Sequence, residues 1–515
     1  MRALLSVASR DGISAFARGL QTLGTEVYAT DGTREHLAQD GIESHPVSEI
    51  SGSEAFLGGQ VKTFHPAIYA GILARRDKPE QLAELEAQGI APIDLVAVNI
   101  KSFGAEVGRR GVALDQAVEM IDVGGAALLS AAARNAAGVV VLSSPEHYAD
   151  VLAEIKERGM VSAELRAKLA ADAYATIAAY HAEIAAYLNQ LTSTTYPNRL
   201  AMVLEKVNDL RYGENPHQTA AFYRETTHRS GTLADATLLQ GDEPTFNNLL
   251  DLDAAYRVAS DFTTPTVCIS KHTDPVGIAS ADDLVEAYRR AVDTDPVASF
   301  GAIAAVNRTM DGPTAREIAN SSYEAVIAPG YDESALATLR QKPALEVLSV
   351  PANPSDGLRD YGIAKLDFKR VAGGLLVETM DELGLDGRQL HVVTKRRPTL
   401  EELTDLLFAW RAVRHVRSNA IVLAKNAATV GIGAGQPNRL VSVEIACHRA
   451  GDRAKLAVMA SDAYFPFPDA MQLAATSGIT AIIQPGGSIR DEMAIELADR
   501  HHIAMVFTGR RHFRH

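Results

Sequence analysis

Residues 265–280 and 419–434 read as two copies of one device, and that repeat constrains the chain more than any other feature. Moved forward by 154 positions (425 − 271), Cys268-Ile-Ser-Lys-His-Thr-Asp-Pro-Val-Gly-Ile278 lies without a gap on Val422-Leu-Ala-Lys-Asn-Ala-Ala-Thr-Val-Gly-Ile432. Lys271 meets Lys425, and Val276-Gly-Ile278 meets Val430-Gly-Ile432. Each copy is a buried-type strand followed by a polar turn, so the fold they belong to holds two similar lobes. The copies differ at one proton-transfer position, His272 in the first and Asn426 in the second. A site built from two related halves, one of them chemically active, is the expectation.

Bulk properties narrow the class. A chain of 515 residues has room for two or three domains, each with its own core. A net charge of −14 argues against general nucleic-acid binding, which needs a basic face to displace counterions. Phosphorylated small molecules stay open, because a few local cations can hold those. The two cysteines, Cys268 and Cys447, imply no disulfide framework and fit a reducing cytosol. Neither a signal peptide nor a stretch of transmembrane length is present in this sequence, so the expectation is a cytoplasmic protein with no membrane partner.

The first 150 residues alternate strand and helix patterns. Apolar runs at Ala3–Val7, Thr25–Ala29, Leu95–Ile100 and Val139–Leu142 read as buried parallel strands, with amphipathic helices such as Gly12–Leu23 and Asp115–Ile121 between them. That pattern predicts α/β architecture, a doubly wound parallel sheet. An alanine-rich helical stretch over 162–189 closes this region, and the polar, proline-bearing segment 191–198 reads as a domain boundary. The expected domains are therefore 1–198 and 199–515. In the second, strands are expected at Thr266–Ser270, Ala302–Val306, Ala420–Ala424, Leu456–Ala460, Thr480–Gln484 and Ile503–Phe507. A helix over 401–417 carries Leu403, Leu406, Leu407, Trp410 and Val413 on one face, which places Trp410 in the core.

Several stretches are able to carry chemistry. Thr30-Asp-Gly-Thr33 follows a strand and opens a helix, a geometry that serves a phosphate or an ordinary capped turn equally well. Asp122-Val-Gly-Gly125 has the same ambiguity, and Gln484-Pro-Gly-Gly-Ser488 is a further anion candidate. Val61-Lys-Thr-Phe-His-Pro66 gathers Lys62, Thr63 and His65 ahead of a proline. Arg211-Tyr-Gly-Glu-Asn-Pro-His-Gln218 joins an arginine suited to phosphate, an aromatic ring and His217. Lys271-His272 ends an apolar strand, and Pro275 keeps Asp274 out of helical geometry, so the pair falls on a turn at the strand edge. Duplicated α/β lobes and His181-Ala-Glu183 invite comparison with zinc deaminases. Those require a paired-cysteine ligand motif, which two cysteines 179 positions apart (447 − 268) do not provide. No zinc site is expected.

Taken in order, these motifs with Ser418-Asn-Ala-Ile-Val-Leu-Ala-Lys425, Gly431-Ile-Gly-Ala-Gly-Gln-Pro-Asn-Arg439 and Ser461-Asp-Ala-Tyr-Phe-Pro-Phe467 resemble, nearly end to end, one family. It is the bifunctional purine-biosynthesis family that joins AICAR formyltransferase to IMP cyclohydrolase. The resemblance implies a methylglyoxal-synthase-like domain over 1–198, the cyclohydrolase. Over 199–515 it implies a formyltransferase domain of two duplicated cytidine-deaminase-like lobes without zinc. It implies formyl transfer from 10-formyltetrahydrofolate to the 5-amino group of AICAR, then ring closure to IMP with loss of water. Nucleotide and folate are then the small-molecule partners, and the family's homodimer places transferase sites at its interface. That amine is a poor nucleophile, so it needs a base and a stabilised oxyanion. By resemblance, His272 takes the proton and Lys271 assists. Arg211 and Arg511 match phosphate ligands. Tyr212, Asn248, Glu324, Asn419, Arg439 and Asp469 match positions that hold nucleotide or folate. Asp469 follows Phe467-Pro468 where the family more often has Phe-Arg.

The first domain matches less closely. Lys62, Thr63 and His65 stand in the family's Val-Lys-Thr-Leu-His-Pro motif, here with Phe64. Asp122 stands in Asp-Ile-Gly-Gly, and Thr33 keeps a phosphate-loop position, with Thr30 and Gly32 beside it in the candidate phosphate turn. The family's cyclisation tyrosine is here Lys101. The lysine of its Ala-Ala-Lys-Asn-His is Arg134, followed by Ala136 in place of histidine. Gln60 and Ala8 replace an arginine and a serine. Ring closure requires reach and positive charge, which Lys62, Lys101 and Arg134 offer, with Asp122 orienting the amide. The alternative is a monofunctional formyltransferase whose first domain only binds a phosphorylated ligand.

Overall fold

The computed structural model describes residues 1–107, 112–226, 231–351, 366–381 and 390–515. Two compact units emerge, the first built on Met1–Val203.

In the first unit β1 (Arg2–Val7), β2 (Glu26–Ala29), β3 (His45–Pro46), β4 (Leu95–Asn99) and β5 (Val140–Leu142) form one sheet. Its order is β3-β2-β1-β4-β5 and every pairing is parallel. Leu4, Leu5, Val96 and Ala97 are buried on both faces, which is why these strands are continuous apolar runs rather than alternating ones. The order reverses between β1 and β4, so the crevice at their carboxyl ends is where a ligand site is expected. Helix Ala163–Leu191 runs to within two residues of the expected alanine-rich stretch. Strand β3, two residues long, carries no periodic signal and went unpredicted.

In the second unit β6 (Leu204–Leu210) pairs with β7 (Ala220–Glu225). The strands β8 (Thr237–Gln240), β9 (Thr266–Lys271), β10 (Asp274–Ser280), β11 (Ala302–Val306), β12 (Tyr323–Ala328) and β13 (Glu346–Ser349) form one half of a large sheet. A separate antiparallel hairpin joins β14 (Leu366–Val371) to β15 (Gly374–Thr379). The other half of the sheet comprises β16 (His391–Val392), β17 (Ile421–Lys425), β18 (Ala428–Gly433), β19 (Val458–Ser461), β20 (Ala481–Gln484) and β21 (Ala504–Phe507). Its order is β16-β21-β20-β19-β17-β18-β10-β9-β11-β12-β13-β8. Read inward from either end, that order pairs β16 with β8, β21 with β13 and so on to β18 with β10. The repeat seen over eleven residues therefore spans two whole lobes, joined where antiparallel β10 and β18 set Ala279 opposite Ala428. Thr429 Oγ1 accepts from Ile278 N at 2.9 Å across this seam.

The polar turns after β9 and β17 are hairpin turns: the chain reverses at once into β10 and β18, strands that were not among those expected. Gly277 and Gly431 let a helix lie against the returning strand. A β-carbon at Gly277 would run into the carbonyl of Ala291, and one at Gly431 into that of Ala446. The matched helices Phe246–Ser260 and Leu400–Val413 are also 154 positions apart, with Thr245 and Thr399 as their N-caps. Trp410 is buried, as its spacing predicts. The helix ends at Val413 rather than at residue 417, and Arg417 N is bonded instead to Asp274 Oδ1.

Candidate functional site

In the second unit the chemistry gathers around the first hairpin. β9 ends at Lys271, whose Nζ donates to the Phe300 carbonyl at 2.8 Å. His272 and Thr273 form a two-residue turn with φ of 55° and 63°, and His272 is exposed. Positive φ at both positions marks the turn type whose twist suits a hairpin, usually filled by Asn-Gly. Histidine and a β-branched threonine there cost roughly 1–2 kcal/mol each. The cost is offset by Asp251, which accepts from His272 N at 2.9 Å and from Thr273 N at 2.5 Å. The second copy is built alike. Asn426 and Ala427 have φ of 53° and 55°, and Asp405 accepts from their amides at 2.7 and 2.6 Å. Lys425 Nζ donates to the Lys455 carbonyl at 3.0 Å.

Beside Lys271 the backbone leaves a gap. A β-carbon at Gly301, where φ is +65°, would stand 3.7 Å from Lys271 Nζ and 4.0 Å from Glu324 Oε1. Lys271 and Glu324 thus converge on space that a side chain at 301 would fill. Nearby, Asn248 Nδ2 donates to both oxygens of Glu346 at 3.0 Å. Burial raises the Glu346 pKa and outweighs the Asn248 hydrogen bond, with the Glu324 charge adding to the rise. Arg211 is exposed, its Nη2 3.4 Å from the Glu243 carbonyl and its Nη1 4.0 Å from Asp242. Tyr212 is half-buried and His217 exposed, in a loop closed by Gly213 N donating to the Gln218 carbonyl at 2.9 Å. Asn247 Nδ2 ties that loop to the helix by a 3.3 Å bond to the Glu214 carbonyl.

The second lobe brings its own residues to the same turn. Arg417 Nη2 donates to Thr273 Oγ1 at 3.0 Å and Arg417 N to Asp274 Oδ1 at 2.9 Å. Burial pushes the Asp274 carboxyl up despite that arginine. Asn419, two residues on, donates to the Gln436 carbonyl at 2.7 Å and accepts from Arg439 Nη2 at 2.7 Å. Arg439 is buried and also meets Ser461 Oγ and the fully buried Asp462. Its guanidinium is taken up by these partners inside the protein, one of which is Asn419. A cleft of about 320 Å³ opens at this junction, between Pro275 and Val276 of one lobe and Ile432, Ala434 and Gln436 of the other. Arg511 is exposed and lies over the Phe513 ring at 4.5 Å, and His512 N donates to the Asp462 carbonyl at 3.0 Å. Asp469 is exposed in the first turn of helix Pro468–Thr476. Arg211 and Arg511 are held by different lobes. The Gly486–Gly487 turn is occupied from within, since Gly487 N donates to Asp491 Oδ2 at 2.7 Å.

In the first unit the carboxyl edge of the sheet collects most of the expected residues. Thr30 stands at the N-cap position of helix Asp31–Gln39, its hydroxyl turned to donate to Ser6 Oγ at 3.2 Å. Thr33 is buried, its Oγ1 accepting from Val7 N at 3.1 Å and from Arg10 Nη1 at 2.9 Å. A β-carbon at Gly32 would lie 3.1 Å from Arg10 Nη2, so a cation stands over this helix N-terminus. Asn99 Oδ1 accepts from Ala8 N and Ser9 N at 2.6 and 2.9 Å, fixing the loop at the switch point. Asp122 caps helix Val123–Arg134 through Gly125 N at 2.7 Å. Thr63 Oγ1 lies 3.4 Å from where a Gly124 β-carbon would be. Lys62 is exposed, and Lys101 Nζ is 3.5 Å from Glu106 Oε1. His65 caps helix Pro66–Leu73, its Nδ1 accepting from Ala67 N. Arg134 ends the helix that Asp122 begins. Twelve residues at ~1.5 Å each put it about 18 Å away, towards the amino ends of the strands. It is not brought to the other candidates.

Sequence reasoning missed Asp251, Gly301, Glu346, Arg417 and Asp462, and in the first unit Arg10 and Asn99. Asp251 had a signal, for running the repeat back twenty positions lays it on Asp405. The others are brought in by tertiary contacts that leave no mark in spacing. Among the described residues no group of three or more His, Cys, Asp or Glu is placed to hold a metal ion.

A doubly wound domain carrying a helix-N-terminal cradle, followed by a duplicated α/β unit with one chemically distinct turn, defines an enzyme with two separate sites. Residues 12–127 match the MGS-like domain, and residues 132–449 match the AICARFT/IMPCHase bienzyme. The chain belongs to the AICARFT/IMPCHase bienzyme family. It is similar to the bifunctional purine biosynthesis protein PurH of Thermoanaerobacter sp. (strain X514), 45% identical over 100% of this chain and 99% of that protein. The PurH proteins of Anoxybacillus flavithermus and Bacillus cereus (strain AH187) are each 44% identical with the same coverage. The crystal structure of ForH is 36% identical over 36% of this chain and 97% of that chain, with a TM-score of 0.33. This is a bifunctional enzyme of purine biosynthesis, AICAR formyltransferase and IMP cyclohydrolase in one polypeptide.

Proposed function

We propose that the last two steps of IMP synthesis are divided between the two units, formyl transfer in 199–515 and ring closure in 1–198. In the first step the 5-amino nitrogen of AICAR attacks the formyl carbon of 10-formyltetrahydrofolate. The bond from that carbon to folate N10 breaks, and N10 takes up a proton. His272 accepts the proton lost by the amine, and Lys271, beside the gap at Gly301, stabilises the oxyanion. Asn248, Glu324 and Asn419 orient the nucleotide. Arg211 and Arg511 meet its phosphate, Tyr212 and His217 flank it, and Asp469 borders the site. The two arginines are held by different lobes, and a homodimer with transferase sites at its interface is part of this proposal. In the second step the carboxamide nitrogen of formyl-AICAR closes on the formyl carbon and water leaves. The phosphate rests on the Thr30–Thr33 helix terminus beside Arg10, while Lys62, Thr63, Lys101 and Asp122 serve the carbonyl and amide. Arg134, at the far edge of the sheet, is left out of that role.

One observation carries the transferase reading. The repeat keeps the turn, the carboxylate clamp and the lysine in both lobes, while the imidazole stands in only one. The full-length likeness to bifunctional relatives favours two activities over a lone formyltransferase. The protein is read as cytoplasmic; among the described residues no helix is long and apolar enough to cross a membrane. An assay with AICAR and 10-formyltetrahydrofolate that follows formyl-AICAR and IMP separately tests both steps. His272→Ala is expected to reduce formyl transfer by about a thousandfold or more while AICAR still binds, and Lys62→Ala to let formyl-AICAR accumulate. Near-normal transfer by a folded His272→Ala variant would remove the assigned base.

A further inference from the structure

Asp251 lies on helix Phe246–Ser260, the helix that also presents Asn248, and its two oxygens take both amides of the His272–Thr273 turn. The turn contains no glycine, although both of its residues have left-handed φ, so its shape is not secured by its own sequence. A carboxylate on a rigid helix supplies what the missing glycine would have supplied. The arrangement recurs at Asp405, where the turn bears Asn426 and Ala427 and no imidazole. One clamp therefore holds a reacting group and its twin holds none.

We propose that Asp251 is a positioning residue for formyl transfer, holding the turn so that the His272 imidazole stands in fixed relation to Lys271 and the gap at Gly301. This rests on the reading of His272 as the base. Asp251 touches neither substrate nor reacting atoms; it acts on the turn that carries the imidazole. The amide of His272 is exposed and that of Thr273 only part-buried, so water can reach the turn when the carboxylate is lost. Its loss then loosens the turn without leaving buried donors unpaired.

The test is steady-state formyl transfer by the full-length protein carrying Asp251→Asn, Asp405→Asn or His272→Ala. Asp251→Asn is expected to lower kcat by about ten- to a hundredfold while KM for AICAR stays within about threefold, the signature of a misplaced reacting group. Asp405→Asn, the matching change at the twin turn, is expected to leave both constants within about twofold. The inference is overturned if Asp251→Asn keeps kcat within about threefold, if the two asparagine variants lose kcat alike, or if the loss lies in KM alone. If His272→Ala keeps its turnover, the base assignment falls and this inference with it. An inactive His272→Ala beside a normal Asp251→Asn sinks the inference alone. Should Asp251→Asn not fold, Asp251→Glu is measured instead, since glutamate keeps both acceptors for the turn but sets them one methylene further from the helix. The same drop in kcat is expected, and its absence overturns the inference.

Discussion

Glu346 is only 6% exposed, and the Asn248 amide donates to both of its oxygens. Burial still lifts its pKa above the ordinary carboxylate value. A group whose folded pKa is raised contributes its stability fully below the unfolded pKa and loses it as pH rises through the folded one. Glu346→Gln keeps an acceptor for Asn248 and removes the buried charge. Its thermal midpoint is therefore expected to gain on wild type between about pH 5 and about pH 8, with little difference at the acid end. A gap that narrows with rising pH would contradict this. The residue is also a measure of what sequence can tell. Asn248 was found through its motif, but the carboxylate beneath it lies 98 positions away in a strand with no distinguishing pattern. His272 and Lys271 were legible because a repeat set them beside a copy lacking the histidine. Arg439 was legible as a motif residue, yet only folding shows its guanidinium turned inward onto Asp462.

Strands β10 and β18 escaped the sequence reading because Pro275, Gly277, Gly431 and Gly433 all look like breakers. In the fold they are fittings. Proline stands just inside a hairpin, and the glycines admit helices Leu284–Val292 and Arg439–Ala450 against the strands. Gly277→Ala and Gly431→Ala are each expected to cost at least about 2 kcal/mol, because the new methyl meets a backbone carbonyl that has no room to yield. Chemical denaturation would read this directly. A loss below about 0.5 kcal/mol at either position would mean that the helix shifts freely. The long strands and helices were legible because their apolar runs and 3.6-residue spacing are unbroken. Two-residue strands such as β3 and β16 were not, since their partners alone define them.

At the scale of the molecule, Asp261 and His415 are counterparts under the 154-residue shift, and they are bonded to each other at 3.1 Å across the lobes. Arg414 Nη2 meets the same carboxylate at 2.6 Å. Burial lowers the His415 pKa in spite of that carboxylate. For Asp261 burial acts to raise the pKa but is outweighed by His415 and Arg414, so it too is lowered. Groups with depressed folded pKa values give their stability above the unfolded values and lose it as pH falls through the folded ones, so both act in one direction. Wild type is expected to lose thermal stability on going from about pH 7.5 towards about pH 5, and His415→Gln to show a flatter profile. Parallel profiles would assign the acid loss elsewhere. The mirror-like strand order has one more outcome. A cut between the halves would strip β10 and β18 of their shared ladder, leaving two raw edges in what had been the sheet's interior. Halves produced separately should then reassociate through those edges or precipitate, so the lobe without the imidazole has a task of its own, to cover the other lobe's edge.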